Sequence, residues 1–484
     1  MYKDASKVPE FEKFYLPFGG HLNGDNRWVR LAGIIPWDDI EKEYAGHFSK
    51  HIGRTAKTVR LALGALLIKE KLKLTDEETV ENIRENPYLQ YFLGYELYKD
   101  EKPFDPSMMV HFRRRLGADA IAEMNELIAK RFQKAKEEKE PKKKKIDDDN
   151  HKNKGQLILD ATCFPQDIRH PHDVMILDEA RQKTEKIIDT LYEAGDLTEK
   201  PRTYRKKARI SFLNFIRGRR RTRQEIRRAA RIQLQYLRRN LRIVNELLST
   251  VSPFTISARQ RKDLIVINEV FRQQRELYKK KTHSIPGKIL SISQPHVRPI
   301  ARGKARAAFE FGAKVSVSVS VTEHGMMYVD RLEWESYNES EDLIMQVERY
   351  KQRFGRYPES LHADKIYRTR ENRKYCESKN IRLSGPHLGR PIIPTEENKN
   401  SLRLMRRIER KDEGIRQKVE GKFGTVKRKF SLANVYEKLR VTSETTIMVC
   451  VLLSNCDRIL RDLFMRLFLH LGFRSGNDQN AYAF

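Results

Sequence analysis

Three acidic residues have the chemistry and the sequence context to bind divalent metal ions together: Asp160, Asp364 and Glu420. Asp160 follows the segment Gln-Leu-Ile-Leu at 156–159, and Asp364 follows Ser-Leu-His-Ala at 360–363. We interpret both segments as short strands, each with an aspartate at its carboxyl end. Glu420 lies in a segment with a helical pattern. Carboxylate oxygens and substrate phosphate are the usual ligands of Mg²⁺. Two such ions can hold the attacking and leaving oxygens of a phosphoryl displacement, so the three acids predict metal-dependent phosphoryl transfer.

Each acid also has an explanation that involves no metal. Asp160 could be an ordinary turn residue at the end of its strand, and Asp364 could cap the helix that follows it. An ion pair between Glu420 and Arg416, four residues earlier, would stabilise a helix by only about 0.2–0.5 kcal/mol. Neighbouring acids are alternative ligands: Asp167 or Asp173 in place of Asp160, and Glu409 or Glu413 in place of Glu420.

Two basic residues lie on the same predicted helix as Glu420. Arg416 comes four residues before it and Lys427 seven residues after it. At about 100° per residue, these three side chains fall on one face of the helix. A glutamate on a metal ion, with two cations beside it, predicts that Arg416 and Lys427 contact the phosphates of a nucleic-acid substrate.

The order of the predicted elements brings the two aspartates together. Alternating apolar and polar residues at 309–321 and again at 326–334 predict a β-hairpin. The chain then reads strand, long insertion, hairpin, helix, strand, helix, strand, helix. Without the insertion, this is the order of an α/β fold of the ribonuclease H-like class, with a mixed five-stranded sheet and helices on both faces. In that fold the first and fourth strands are neighbours, so Asp160 and Asp364 are expected to meet.

The net charge of +30 and the pI of about 9.8 indicate a polyanionic partner. Residues 202–242 contain sixteen Lys or Arg and one acid, Glu225, while apolar residues still recur, which predicts a folded amphipathic region. Such a cationic face suits the phosphates of double-stranded DNA. The few aromatic residues of the region do not form the interleaved pattern of a base-stacking platform, so base stacking on single strands is less favoured. The candidate DNA contacts in this region are Arg219, Arg220, Arg221, Arg227 and Arg228.

The sequence divides into four regions. Residues 1–133 are predicted to form a helical DNA-binding domain, with a capping box that begins at Thr75 and with Arg113 and Arg114 as candidate DNA contacts. A helical bundle with a solvated basic face is the alternative. Residues 134–155 form a charged linker, and its run of three aspartates at 147–149 is not predicted to bind metal because no strand positions it. Residues 156–173 and 306–484 form the catalytic domain, and residues 174–305 form the basic helical insertion.

The composition also indicates the compartment. The four cysteines form no CxxC pair and no zinc-site spacing, which favours buried free thiols in a reducing cytoplasm. The N-terminus has no apolar core of a signal peptide, and no run of 18 apolar residues is present. We therefore expect a cytoplasmic protein that associates with the bacterial nucleoid and has no membrane partner.

Three motifs resemble those of the DDE transposases of bacterial insertion sequences, in particular insertion-sequence family five and its relatives. Their third motif reads Tyr-x2-Arg-x3-Glu-x6-Lys, and Arg416, Glu420 and Lys427 match its spacing. Glu413 occupies the position of the tyrosine, which is the departure from the pattern. The first motif at 159–162, the second motif at 363–367 and the helical unit at 58–130 also resemble those of the family.

The resemblance implies a specific activity. Mg²⁺, with Mn²⁺ as an alternative, would act as two ions on Asp160, Asp364 and Glu420, which would be the catalytic residues. The reaction would be hydrolysis at the ends of a DNA element, followed by attack of the freed 3′-OH on target DNA, carried out by a homodimer. Two alternatives stay open: a ribonuclease H-like nuclease that cuts without joining, and a non-enzymatic basic DNA-binding protein with the three acids scattered.

Overall fold

The computed structural model describes residues 16, 20–45, 57–137, 153–195, 198–218, 220–304, 307–321, 325–386, 389–390, 392–395 and 397–470. Its helices are α1 (Arg27–Ile34), α2 (Trp37–Ala45), α3 (Val59–Leu72), α4 (Asp76–Glu85), α5 (Pro87–Phe92), α6 (Met108–Glu137), α7 (Asp173–Ala194), α8 (Arg205–Arg217), α9 (Arg223–Thr250), α10 (Ala258–Lys280), α11 (Leu343–Phe354), α12 (Arg370–Ser378), α13 (Lys399–Lys429) and α14 (Arg440–His470). Its strands are β1 (Gln156–Pro165), β2 (Arg298–Lys304), β3 (Ala307–Ser320), β4 (Met326–Glu333), β5 (Ser360–Ala363) and β6 (Arg382–Leu383). The predicted linker aspartates at 147–149 lie outside the described residues.

Side-chain caps and a glycine set several boundaries of the N-terminal helices. The hydroxyl of Thr58 accepts from the backbone N–H of Leu61 at the start of α3. The capping box at α4 is confirmed, because Thr75 and Glu78 each accept from the other's backbone N–H. Gly117, with φ of 64°, divides α6 into two helical segments. Local sequence signals therefore determine the boundaries of these helices.

The sheet has six strands rather than the predicted five. Its order is β2-β3-β1-β5-β6, and β4 also pairs with β3. The additional strand, β2, pairs antiparallel with β3 and lies at the end of the segment that was predicted to be an insertion. β1 is antiparallel to β3 and parallel to β5, which confirms that the first and fourth predicted strands are neighbours. The molecule is thus a mixed α/β protein built on a mixed sheet.

The two faces of the sheet have separate apolar cores. Ile158 and Val317 belong to the larger core, which also contains residues of α13, α14 and the N-terminal helices. Leu159 and Leu361 point to the opposite face, where they join residues of α11 and α12. Because side chains alternate along a strand, β1 contributes to both cores and is the central strand of the molecule.

The last two helices complete the larger core. α13 is one continuous helix of 31 residues, which extends well before the segment around Glu420. Its buried residues all lie from residue 412 onward, at Asp412, Ile415, Val419, Phe423 and Val426. Spacings of three and four residues place them on one side of the helix, which faces the sheet.

The helices α7 to α10 form a folded unit within the predicted basic insertion. α7, α9 and α10 enclose their own apolar core, which includes Leu177, Leu237 and Ile267. Outside this core, α9 is rich in arginine.

All four cysteines of the chain are buried free thiols, as the sequence analysis expected. Across the described ranges, none of the helices is both long and apolar enough to cross a membrane.

Arg113 connects the N-terminal helices to the C-terminal part of the chain and is reassigned from a DNA contact to an internal ion pair. Its residue is 3% exposed. Its guanidinium donates to both carboxylate oxygens of Asp76, at 2.6 and 3.0 Å, and its Nε lies 3.5 Å from Oε1 of Glu437. Arg114, the next residue, is exposed.

Replacing Arg113 by alanine should lower the free energy of unfolding by about 3 kcal/mol, because a buried guanidinium that pairs with the partly buried carboxylates of Asp76 and Glu437 is removed. Arg114→Ala should change it by about 0.5 kcal/mol or less, since that side chain is exposed. Urea unfolding of both variants measures the difference. DNA affinity of the folded Arg113→Ala protein should equal that of the wild type. A selective loss of affinity without a loss of stability would contradict the internal role of Arg113.

Candidate active site

The pairing of β1 with β5 places Asp160 and Asp364 next to each other. The last pair of this parallel ladder joins Leu159 and Ala363. Asp160 directly follows Leu159, and Asp364 directly follows Ala363. Neighbouring strands lie about 5 Å apart. The sequence had placed Asp160 at the end of its strand, but β1 continues to Pro165, so Asp160 lies within the strand. Only the parallel pairing with β5 stops before Asp160.

Both aspartates belong to the face of the sheet that α13 covers. Side chains alternate along a strand, so Asp160 shares a face with Ile158, and Asp364 shares a face with His362. Ile158 and His362 are partners in the ladder. Nδ1 of His362 lies 3.6 Å from Oδ1 of Asp412 on α13, which identifies the covering helix.

Arg416 is the common neighbour of the three predicted acids. Its Nη2 donates to Oε1 of Glu413 at 2.6 Å, and its Nη1 lies 3.5 Å from Oε1 of Glu420. The same guanidinium interacts electrostatically with Asp160 and Asp364. These interactions, with the hydrogen bond to Glu413 first, raise the pKa of Arg416 above its ordinary value. Arg416 therefore links the glutamates of α13 to the aspartates of the sheet.

The three acids do not close into a single metal-binding cluster. The side chain of Glu420 is 60% exposed and directed to Arg416, whereas Asp160 is partly buried. Among the residues that the structure describes, no three His, Cys, Asp or Glu side chains lie close enough to hold one metal ion. The structure thus places Asp160 and Asp364 at the ends of one parallel ladder, while Glu420 contacts Arg416, which interacts electrostatically with both aspartates.

Burial raises the pKa of the Asp160 carboxyl to about 6. The negative charges of Glu339 and Asp364 act in the same direction, while the N–H of Ala161, which donates to Oδ1 at 2.8 Å, and the charge of Arg416 act against it. A carboxylate in this environment is unfavourably charged near neutral pH. A divalent cation bound among these oxygens would favour its charged form, so the donors present fit such an ion.

Three further residues near Asp160 were not identified from the sequence. Glu339 affects the charge of Asp160 and is ion-paired with Lys314 at 2.8 Å. Tyr367 is fully buried, and its hydroxyl has no hydrogen-bond partner among the described residues. Burial, followed by the charges of Glu339 and Asp160, raises the pKa of Tyr367. Arg368 lies within electrostatic range of Asp364, and burial lowers its pKa. Tyr367 and Arg368 end or follow the second motif, but no sequence signal indicated Glu339.

The other basic residue of the third motif, Lys427, is half-buried. Its Nζ lies 5.7 Å from the ring centre of Phe164, near the end of β1. Lys427 is therefore on the side of α13 that faces β1, beyond Asp160 along the strand. A phosphate contact of Lys427 stays a prediction.

The arginines predicted to bind DNA in the insertion have different environments. Arg220 and Arg228 are exposed. Arg221 instead donates to the carbonyl oxygens of Phe215 and Ile216 at 3.1 and 2.8 Å, which satisfies the end of α8. Arg227 lies 4.2 Å from the ring centre of Tyr278 on α10. Arg219 lies outside the described residues.

Four exposed arginines form a row on α9, and only Arg228 among them was singled out from the sequence. Arg228, Arg231, Arg238 and Arg242 are all exposed. Their spacings of three, seven and four residues place them on one face of the helix. We call these four residues the α9 arginine row. The helical spacing of these four arginines in the sequence is the signal that could have identified the row.

Comparisons with known proteins match two separate parts of the chain. A family model described as a transposase DDE domain matches residues 361–456, which include Asp364 and Glu420. A model described as a transposase domain matches residues 17–115. A curated relative, the uncharacterized protein ORF8 in the nfe locus of Rhizobium meliloti, is 33% identical over 161 residues, 33% of this chain and 72% of that protein. No solved structure matches.

Replacing Asp160 by asparagine should stabilise the fold at neutral pH. The folded pKa of about 6 lies above the ordinary value of 3.8, so the stability contributed by the protonated form is complete below pH 3.8 and lost as the pH rises through about 6. Asparagine stays neutral, so its advantage should grow with pH towards about 3 kcal/mol, at roughly 1.4 kcal/mol per pKa unit.

Urea unfolding at pH 5 and pH 8 measures this advantage. The difference between Asp160→Asn and the wild type should be larger at pH 8, and Mg²⁺ should reduce it by stabilising the wild type alone. An equal difference at both pH values would show that the carboxyl of Asp160 titrates normally.

Proposed function

We propose that this chain, which belongs to the insertion-sequence transposases that carry a DDE domain, cuts DNA at the ends of its element and joins the freed 3′-OH ends to target DNA. Membership of the transposases confirms the resemblance drawn from the three motifs. The assignment to insertion-sequence family five stays a prediction. Hydrolysis followed by strand transfer is the specific reaction that we add to the family membership.

The adjacency of Asp160 and Asp364 is the observation that carries this proposal. The two aspartates follow the last residue pair of the parallel ladder between β1 and β5. Arg416 interacts electrostatically with both aspartates and contacts Glu420, which supports a shared site. The strand order β4-β3-β1-β5-β6 supports a ribonuclease H-like catalytic domain, because a hairpin, a central strand and two parallel strands follow in the expected sequence. We assign this domain to residues 156–173 and 306–484, with β2 as an additional strand.

Asp160, Asp364 and Glu420 would hold the divalent metal that DDE transposases generally use, and we propose Mg²⁺ as two ions. When bound, such ions supply Lewis-acid stabilisation of the attacking and leaving oxygens of the phosphate. The chain's own residues orient the substrate. Arg416 has a planar guanidinium suited to two phosphate oxygens, and Lys427 adds a second cation near β1.

We propose that the basic insertion binds the duplex beside the active site. The α9 arginine row is exposed over about 21 Å of helix, from Arg228 to Arg242 at 1.5 Å per residue. Arg242 lies 3.4 Å from Oε1 of Glu246, a weak surface contact that a phosphate can replace. Such a row neutralises backbone phosphates without reading bases.

Changing Asp160 or Asp364 to asparagine, or Glu420 to glutamine, should reduce metal-dependent cleavage of the element's ends by about 10³-fold or more, because each removes a ligand charge at the reacting phosphate. DNA binding without metal should stay unchanged. Glu409→Gln is the matched control on α13, since it changes an acid on the same helix. Cleavage at the wild-type rate by any one of the three variants would remove that acid from the mechanism.

A strand-transfer assay with pre-cleaved ends separates the proposed reaction from simple nuclease activity. The wild type should join the 3′-OH ends to a target duplex, and the three site variants should not. Cleavage of uncut ends combined with no joined product would identify a nuclease instead.

Replacing the α9 arginine row with glutamine should weaken binding to all DNA sequences alike. The slope of log K against log salt should fall by up to about 3.6, at roughly 0.9 per phosphate contact. Fluorescence anisotropy over a salt series measures the slope. An Arg227→Gln variant is the control, because that guanidinium already lies on the ring of Tyr278. A slope equal to the wild type would exclude this face from DNA binding.

A further inference from the structure

The first half of α13 lies outside every core of the described structure. We call residues 399–411 the basic arm of α13. None of its residues is buried, whereas the rest of the same helix, from residue 412 onward, buries five residues against the sheet. A helix of this length is marginal in water by itself, so the packed half must support it. The basic arm is therefore an exposed helical segment that contributes nothing to the core.

The basic arm carries a strong excess of positive charge. It has six Lys or Arg and one acid, Glu409. Arg403, Arg406, Arg407 and Arg410 are all exposed, and no acid among the described residues forms an ion pair with any of them. Four uncompensated guanidinium groups on one short helix require an anionic partner to be neutralised.

The arm is joined rigidly to the proposed active site. Arg406, Glu413 and Glu420 follow each other at intervals of seven residues, which places them along one strip of the helix. At 1.5 Å per residue, the arginines from Arg410 to Arg403 lie about 15–26 Å from Glu420 along the helix axis. A substrate that contacts Glu420 and runs along the helix must therefore meet these arginines.

The surface between the arm and Glu420 is open. Gly414 and Gly421 lie on the side of the helix that carries Arg403 and Arg410, and a Cβ at either glycine would meet nothing within 4 Å. Gln417, between them, is exposed. A large molecule resting on the arginines can thus approach the helix surface as far as the site.

The composition of the arm favours duplex DNA over a protein or a single strand. Residues 399–411 contain no aromatic side chain on which an unpaired base could stack. Their two large exposed apolar side chains, Leu404 and Ile408, are 58% and 42% exposed and are outnumbered by the four arginines. A regular array of phosphates satisfies this pattern.

We propose that the basic arm of α13 binds the phosphate backbone of the duplex that flanks the scissile bond, independently of sequence. At about 3.4 Å per base pair, the contact falls roughly 4–8 base pairs from the cut. The distance between the contact and the cut rests on the proposed function, which places the scissile bond at the three acids. The binding surface itself follows from the exposed charge.

The test compares two triple variants that remove the same number of cations. One is Arg403→Gln, Arg407→Gln and Arg410→Gln. The matched control is Arg84→Gln, Lys102→Gln and Arg272→Gln, three cations that each already contact a carboxylate, at 3.1, 2.8 and 2.6 Å. Arginine and glutamine have similar helix propensities, so α13 should persist, and circular dichroism verifies it. The probe is a fluorescently labelled duplex of random sequence, titrated without metal.

The arm variant should lower the slope of log K against log salt by up to about 2.7, at roughly 0.9 per lost phosphate contact, while the control keeps the wild-type slope. On a natural element end, hydroxyl-radical protection should be lost only on the duplex beside the cut. Equal slopes for both variants would overturn the inference. So would a change in oligomeric mass by light scattering without a change in slope, which would assign the arm to a second copy of the chain.

These outcomes are separate from those of the proposed function. If the wild type binds with the expected slope but never cleaves or joins ends, the catalytic proposal fails and the binding surface stands. If the site variants lose cleavage while the arm variant binds like the wild type, the catalytic proposal stands and the arm has no role in DNA binding.

Discussion

The partly buried carboxyl of Asp160 is the constraint around which the rest of the structure is arranged. β1 is paired with β5 up to Leu159 and with β3 through Asp160, so the backbone at Asp160 is held in the sheet beside a buried environment and the charge of Asp364. One N–H from Ala161 and the guanidinium of Arg416 offset only part of this cost, as the raised pKa shows. An unfavourable charge retained at the centre of a sheet is typical of a functional site, where stability is given up for a reactive arrangement.

The charge of Arg416 is neutralised within the protein by the glutamates of α13. Its closest partner is Glu413, the residue that stands where the family's third motif has a tyrosine. A tyrosine could not neutralise the guanidinium, whereas Glu413 does so and leaves Glu420 with the longer contact of 3.5 Å. In this chain, therefore, a phosphate that binds Arg416 must compete with a carboxylate. The departure from the motif changes the electrostatics of the site and leaves the spacing of its acids intact.

The sequence correctly predicted features that depend on hydrogen bonds between nearby residues or on a regular alternation of apolar and polar residues. The capping box at Thr75 and the hairpin of β3 and β4 are confirmed, and the strand order correctly joined Asp160 to Asp364. β2 was missed because its sequence, RPIARGK, has a proline and no alternation. Arg113 was misassigned, since charge alone does not distinguish a surface cation from a buried ion pair. Glu339 approaches Asp160 only through tertiary packing, for which the sequence carries no local signal.

The continuity of α13 has the largest consequence for function among the features that the sequence did not show. A break near residue 413 would have separated a basic segment from a catalytic one and left their relative position free. A single helix instead fixes the distance and the angle between Glu420 and the arginines of the arm, because both lie on the same rigid cylinder. The packing of Val419 and Phe423 against the larger core then anchors this cylinder to β1. The buried half of α13 thus sets where a bound duplex can lie relative to Asp160, and the position of DNA follows from the packing of the core.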